Sequence, residues 1–340
     1  MEFANVNDGV ATGPSGQVLH TADGGRTWNV VFALGSGAKQ LDFSTATSGW
    51  ALLSRSLLRT SSDGRAWSSL GEPKGHALSF VDVVSTSLAY GLTNVSTGGS
   101  PELVVSRDGG TSWNVVGTPG QVQATCFVTP SSGWIVVREL GVIAIEETSN
   151  GGVSWSKQAT ITGGDHGTLD CQSASAAWVV IAGGVGLGSE ASTIYRFSAA
   201  HVSWVPVAAT SSVSAGPAPG NVRGLPQAPG DFPGKVVTVS NTTAYVAGVG
   251  VCSPTANPAQ TDLCIGSTHD GGTTWAYSDV SAVRGATGLM GFGFGYASAQ
   301  NAVAFVSYST GQAQGVTKIL RTTDGGRSWA SFPGALCPQC

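Results

Sequence analysis

Residues 21–28 read TADGGRTW, and close copies return as SRDGGTSW at 106–113, TSNGGVSW at 148–155, THDGGTTW at 268–275 and TTDGGRSW at 322–329. Two weaker copies fill the gaps between these boxes. SSDGRAW, one residue short, ends at Trp67, while FSAAHVSW at 197–204 has lost the acid and both glycines but keeps Ser203 and Trp204. The tryptophans that close the turns are then Trp28, Trp67, Trp113, Trp155, Trp204, Trp275 and Trp329, which makes seven units.

A second landmark gives the same count. A residue in one apolar run is followed seven positions later by a usually aromatic residue that opens another: Phe43 and Trp50, Val83 and Tyr90, Phe127 and Trp134, Cys171 and Trp178, Thr238 and Tyr245. Phe3 with Val10 and Tyr296 with Val303 supply the first and last units. Two signals that agree in number and order define a repeat more firmly than either alone. Within a unit, apolar runs of four to seven residues rich in Val, Ile and Leu are bounded by Gly, Ser and Asn, which marks strands rather than helices.

The pattern predicts an all-β chain: a seven-bladed β-propeller with four antiparallel strands per blade, forming a single domain over 1–340. A four-stranded sheet has two apolar faces and hides neither alone, so each stacks on the next, and closing the ring buries the end faces. An open β-solenoid fits less well. Tryptophan spacings of 39, 46, 42, 49, 71 and 54 suit independent blades better than a coil that must stay in register. The expected blades are 1–36, 37–76, 77–121, 122–164, 165–216, 232–284 and 285–335, with 207–234 a long Pro/Gly-rich connector.

The chemistry of the boxes points to scaffolding. Paired glycines accept the positive φ of a tight turn, and a short acceptor side chain can bond otherwise orphaned N–H groups. Asp23, Asp63, Asp108, Asp270 and Asp324 are the acceptors, with Asn150 doing the same work in the fourth unit, while each closing indole anchors the turn on its sheet. An acid that asparagine can replace is structural rather than catalytic.

Only 11% of residues are charged, against about 25% in an average domain, and 49 glycines signal many turns. A net charge of -4 with scattered Lys and Arg gives no reason to expect nucleic acid as a partner. The longest apolar stretch, WVVIAGGVGLG at 178–188, falls short of the roughly 20 residues that cross a membrane. The repeat has begun by Met1, as in a chain whose leader has been removed. Cys252 and Cys264 bracket a polar loop whose closure would remove roughly 3 kcal/mol of unfolded-state entropy, so a disulfide is expected there and an extracytoplasmic setting with it. Cys337 and Cys340, in CPQC, follow a strand pattern and lack the helix N-terminus of a redox dithiol.

The motif (Ser/Thr)-x-Asp-Gly-Gly-x-(Thr/Ser)-Trp resembles the Asp-box, or BNR repeat, of sialidases, xyloglucanases, sortilin-type receptors and Ycf48-like photosystem II assembly factors. Boxes in nearly every unit, with Gly-Trp second strands and a single ring's worth of repeats, are most similar to the Ycf48-like group. That resemblance implies a seven-bladed, extracytoplasmic, non-enzymatic propeller that binds protein during assembly. A sialidase would instead carry an arginine triad on a six-bladed ring, and the arginines outside the boxes, Arg55, Arg59, Arg138, Arg196, Arg223, Arg284 and Arg321, fall mostly along outer strands.

The alternative is a glycoside hydrolase, xyloglucanase-like or, less so, sialidase-like, which needs two facing carboxylates about 5 to 9 Å apart. Asp42 and Asp82 sit on equivalent first strands of adjacent units and are the pair to consider. Asp165 beside His166, in GGDHG at 163–167, offers a metal or acid–base reading but has no second ligand at useful spacing, and the stretch is expected on the same open face as the connector. No catalytic residue, metal or cofactor is assigned. The expected partner is a protein, or else a glycan, held by long loops on a rigid frame.

Overall fold

The computed structural model describes all 340 residues except 1, 14–15, 46, 55, 72–76, 94–100, 118–119, 187–188, 212–213, 231, 251, 253–261, 281–287, 310–315 and 332–340. Arg55, Arg284, Cys337 and Cys340 lie outside the described residues. Among the described residues, twenty-eight strands form seven four-stranded antiparallel sheets, each built from four consecutive strands. Blade 1 holds β1 (Glu2–Phe3), β2 (Gly9–Thr12), β3 (Gln17–Thr21) and β4 (Asn29–Ala33); blade 2 holds β5 (Gln40–Phe43), β6 (Gly49–Leu52), β7 (Leu57–Thr60) and β8 (Ser68–Leu70). Blade 3 comprises β9 (Leu78–Val83), β10 (Ala89–Thr93), β11 (Leu103–Ser106) and β12 (Asn114–Val116); blade 4, β13 (Gln121–Phe127), β14 (Gly133–Glu139), β15 (Val142–Thr148) and β16 (Ser156–Thr162). Blade 5 has β17 (Gly164–Ser173), β18 (Ala176–Gly186), β19 (Ser189–Ser198) and β20 (Ser203–Thr210); blade 6, β21 (Phe232–Thr238), β22 (Ala244–Gly250), β23 (Asp262–Thr268) and β24 (Ala276–Asp279). Blade 7 ends the ring with β25 (Gly288–Ala297), β26 (Ala302–Ser309), β27 (Val316–Thr322) and β28 (Ala330–Ser331).

First strands of successive blades adjoin one another all the way round, β25 returning to β1, so they wall the central channel. Burial follows the radius from there. Second and third strands are covered almost completely, with Trp50, Tyr90, Trp134, Trp178 and Tyr245 wholly buried, whereas outer strands such as β8 and β12 are largely exposed. Both faces of the middle strands meet a neighbouring blade, and hence their sequences read as unbroken apolar runs. An apolar cluster fills each of the seven seams. The last of them packs Phe3 and Trp28 of blade 1 against Val303 and Ile319 of blade 7, closing the circle.

The glycine of the Gly-Trp pair has a packing reason. Phe3, Phe43 and Phe127 on first strands lie directly across from Gly9, Gly49 and Gly133. A Cβ on any of these glycines would come within 2.5–2.6 Å of the phenylalanine ring. Each ring lies over its glycine and meets the tryptophan of its own box edge-on, with centroids 5.9, 6.4 and 6.1 Å apart. Where the first-strand residue is small, as with Val83, Cys171 and Thr238, its cross-strand partner is alanine: Ala89, Ala177 and Ala244. Ring and side-chain volume are exchanged across the ladder.

The connector joins β20, which ends at Thr210, to β21, which starts at Phe232. Ser214 and Ala215 lie against Gly184 and Gly186 of the β18–β19 hairpin, on the face opposite the boxes, and later residues fold down along blades 5 and 6. Pro219, in a 3-10 turn (Pro219–Asn221), accepts hydrogen bonds from the Thr193 hydroxyl (2.8 Å) and the Tyr195 hydroxyl (3.1 Å). Further on, Ala209 N–H donates to Pro226 O (2.8 Å) and Ala228 N–H to Ala209 O (3.3 Å), adding an extended segment to the edge of β20. Pro229 then rests on Gly248 and Gly266 of blade 6, where no side chain would fit. Cys252 is bonded to Cys264, with Cα atoms 5.0 Å apart, the pairing expected from the sequence.

The volume exchange is testable by a double-mutant cycle. Gly133→Ala should lose roughly 1–3 kcal/mol through overpacking. In a Phe127→Val background the same change should cost at least about 1 kcal/mol less. Urea unfolding of the four proteins measures the coupling, and strictly additive effects would refute the packing account.

Candidate functional site

The boxes come first because they hold the most regular polar geometry. In the first, the Thr21 hydroxyl donates to Asp23 Oδ1 (2.9 Å) and accepts from Gly25 N–H (2.9 Å), while Asp23 takes the Thr27 amide (2.9 Å) and hydroxyl (2.6 Å). The same set recurs around Asp108, Asp270 and Asp324. Asn150 keeps the amide from Ser154 (2.9 Å) but reverses the other bond, donating from Nδ2 to the Ser154 hydroxyl (2.8 Å). The first glycine of each box ties to the turn between strands one and two, as Gly109 N–H does to Ser87 O (2.9 Å) and Gly151 N–H to Ser131 O (2.8 Å). Both oxygens of each of these carboxylates are engaged with the turn's own hydroxyls and amides.

Two sequence assignments need correction. Asp63 is not the acceptor of the second box. Thr60 stands where Thr21 does, accepting Gly64 N–H (3.2 Å), and Ser62 takes the acid's place, its hydroxyl accepting Ala66 N–H (3.0 Å). That box is therefore full length, and Asp63 occupies the first glycine's position at φ +53°, its N–H bonded to Thr47 O (3.2 Å). Nor does Trp204 close a box. Ser198 pairs with Ser203 across a four-residue turn in which Val202 adopts φ +47°, and Trp204 already lies within β20, packed on Trp134.

Asp42 and Asp82 are on adjacent first strands, as expected, but each is bound to the next blade rather than facing an open cleft. Asp42 Oδ2 accepts Val83 N–H (2.9 Å), Asp82 Oδ2 accepts Phe127 N–H (3.0 Å), and Asp170 Oδ2 accepts Thr238 N–H (2.5 Å). Gln40 adds a rung to the seam of Asp42 by joining the Val81 backbone, and Gln123 bridges the seam between blades 4 and 5 to the Asp165–Gly167 backbone. Each acid keeps some surface towards the channel, yet protein crowds it on all sides. Burial pushes Asp42 and Asp170 up to about 6, against the amides that bond them. Burial, reinforced by the charge of Asp42, raises Glu2 and Asp82 well above the usual carboxylate range. A signal for this ring was present in the sequence: an acid immediately precedes the first-strand landmark at Glu2, Asp42, Asp82 and Asp170.

Asp165 and His166 lie on β17, not on a loop. A β-bulge between Gly164 and His166 turns both side chains outward together, while Gly164 and Gly167 on either side are buried. Asp165 meets Arg138 of blade 4 (3.4 Å), and His166 Nδ1 lies 3.7 Å from Glu190, whose carboxyl is almost fully covered. Burial raises Glu190 above its ordinary range, with His166 opposing and Asp165 adding to the shift. Two hairpin tips flank this cluster, with Leu140 fully exposed and Val185 largely so. Arg59, Arg196 and Arg321 do not join it. They reach from third strands into the next blade's box, as Arg196 Nε does to Gly271 O (3.1 Å).

No family model matches the chain, and no curated protein does. Among solved structures it is similar to a YCF48 bound to a D1 peptide, with a TM-score of 0.54 and 13% identity, covering 97% of this chain and 85% of that one. A YCF48 from Cyanidioschyzon merolae matches likewise, with a TM-score of 0.54 and 14% identity over 96% and 88% of the two chains. An ancestral GH74 enzyme gives a TM-score of 0.59 at 11% identity, covering 97% of this chain but 47% of its own. At such identities the likeness speaks for the propeller fold.

Two measurements test this geometry. Hydroxyl and amide bonds from Thr27 and Ser112 hold Asp23 and Asp108 at about 2. They stabilise the fold above the unfolded carboxylate pKa of about 4, and that contribution is lost as pH falls from there towards 2. The channel acids act in the opposite sense, since a raised native pKa means the folded chain binds more protons between about 4 and 6, so stability rises as pH falls through that window. Tm should therefore peak near pH 4–5, and Asp42→Asn, which keeps an acceptor for Val83, should raise Tm at pH 7.5 and flatten the limb above the peak. Separately, Ser62→Asp with Asp63→Gly should give the second box its acid and both glycines and add about 1 kcal/mol. Loss of stability in that double variant would contradict the corrected register.

Proposed function

We propose that this chain is a non-enzymatic, extracytoplasmic binding propeller of the Asp-box, Ycf48-like kind, which holds a polypeptide partner on the face opposite the boxes, at blades 4 and 5. The observation that carries the reading is the use of the channel carboxylates: Asp42, Asp82 and Asp170 each accept a backbone amide of the following blade, so the acids a hydrolase would aim at a glycosidic oxygen serve the ring instead. The box aspartates are likewise bound within their turns.

The exposed cluster on blades 4 and 5 offers what protein recognition uses. A cation at Arg138, an acid at Asp165 and an imidazole at His166 stand between the apolar tips Leu140 and Val185, all on hairpins fixed by long antiparallel ladders. The solved YCF48 with a D1 peptide supports a polypeptide as the class of partner. The two disulfides support an oxidising compartment.

Peptide arrays followed by solution titration test the reading. A selected peptide should lose about tenfold or more in affinity with Leu140→Asp or with Arg138→Ala plus His166→Ala, at unchanged Tm. Release of reducing sugar from xyloglucan, β-glucan or sialosides would overturn it in favour of a hydrolase.

A further inference from the structure

Six of the seven seams share one device. The second glycine of a box is pressed against the preceding blade: Gly64 on Val18, Gly110 on Leu70, Gly152 on Val116, Gly272 on Val207, Gly326 on Tyr245, and Gly25 on Ile319 across the closure of the ring. The seam between blades 4 and 5 has no such contact among the described residues, because blade 5 carries the short turn at 199–202 instead of a box.

Three other seams carry a carboxylate link, and among the described residues this one does not. Asp42, Asp82 and Asp170 each stand one residue before a first-strand landmark and reach the landmark of the next blade: Val83, Phe127 and Thr238. In blade 4 the corresponding position is Cys126, and the landmark of blade 5 is Cys171. These two form a disulfide, Cα–Cα 6.0 Å. A covalent bond thus joins the same two positions that an aspartate and an amide join elsewhere. Both cysteines are only half-buried, whereas Cys252 and Cys264, twelve residues apart within blade 6, are buried.

We propose that the Cys126–Cys171 disulfide is a redox-dependent clasp that replaces the carboxylate link and holds blades 4 and 5 together, so that a dithiol reductant loosens the ring at this seam. A thiolate of the reductant attacks one sulfur and releases the other as a thiolate. The reductant's second thiol then displaces the first cysteine, leaving two protein thiols and an oxidised reductant. The consequence extends outward along β13 and β17, because Gln123 crosses the same seam to Asp165 O (3.0 Å) and Gly167 N–H (3.1 Å), beneath the exposed Asp165–His166 pair. This clasp does not depend on what the face binds.

The test compares the oxidised chain with and without dithiothreitol, using alkylation and mass mapping to read which cysteines open. Cys126 and Cys171 should open first, with Tm falling by roughly 5–10 °C and amide exchange at Phe127 and Gly167 rising at least about tenfold. Cys126→Ser with Cys171→Ser should reproduce the reduced state and respond no further. Cys126→Asp with Cys171→Val, which copies Asp42 and Val83, should recover at least half of the lost Tm without a redox response. Opening of Cys252–Cys264 first, an unchanged Tm and exchange once Cys126 and Cys171 are alkylated, or an Asp/Val variant no better than Ser/Ser would each overturn the proposal.

Discussion

A box turn bears on the blade before it through a glycine that has no room for a side chain. Gly110, at φ +88°, would place a Cβ 2.7 Å from Leu70 and 3.0 Å from Trp50, and Gly152, at φ +87°, one 2.5 Å from Val116. The left-handed backbone and the close approach each demand glycine on their own. Because the turn is held rigid by its aspartate and hydroxyls, the spacing between neighbouring sheets is set by backbone against side chain, and the indole that follows fixes the angle. Trp113 shows both contacts, meeting Trp50 of the previous blade edge-on at 6.1 Å and donating to Gly71 O at 2.9 Å.

This arrangement makes the two ends of the ring chemically unlike. At the box end, carbonyls of the turns between strands one and two accept amides of the boxes, and arginines from third strands lie over the next box, so these backbone groups are satisfied internally. At the opposite end the hairpins between strands two and three carry no such duty. They are free to differ, and in blades 4 and 5 they are long and carry the exposed apolar residues Leu140 and Val185. Rigidity at one end permits variation at the other.

Much of this was legible in the residues. Seven tryptophans and seven paired landmarks gave the blade number, and the Gly-Trp pairs marked the second strands, because both depend on local volume that sequence displays. The second box was misread because alignment by the acid put Asp63 in register, whereas the turn is aligned by its hydroxyl at Thr60 and tolerates aspartate at positive φ. Asp42 and Asp82 are legible as a pair on equivalent first strands of adjacent units. Their role as links depended on knowing that the next blade's amide lies opposite, a relation 41 to 68 residues away in the chain. Cys126 and Cys171 were hidden for the same reason, being 45 residues apart with no local sign of partnership.

Blade 5 shows how a ring survives the loss of its recurring joint. It has no box, and its strands are long, with 10, 11, 10 and 8 residues in β17 to β20. Longer strands extend the apolar cluster shared with blade 4, where Trp134, Val136, Ile143 and Ile161 pack on Ala177, Val179, Ile181 and Tyr195. The disulfide secures the inner edge of that seam, and Pro219 of the connector covers its outer part by accepting from Thr193 and Tyr195. On the far side, Ala228 and Pro229 fill the seam with blade 6, where Gly272 still bears on Val207. Burial, covalency and a folded-down connector together substitute for a short turn of eight residues, while Asp165 and His166 stand exposed at the start of β17, on the inner strand of the blade.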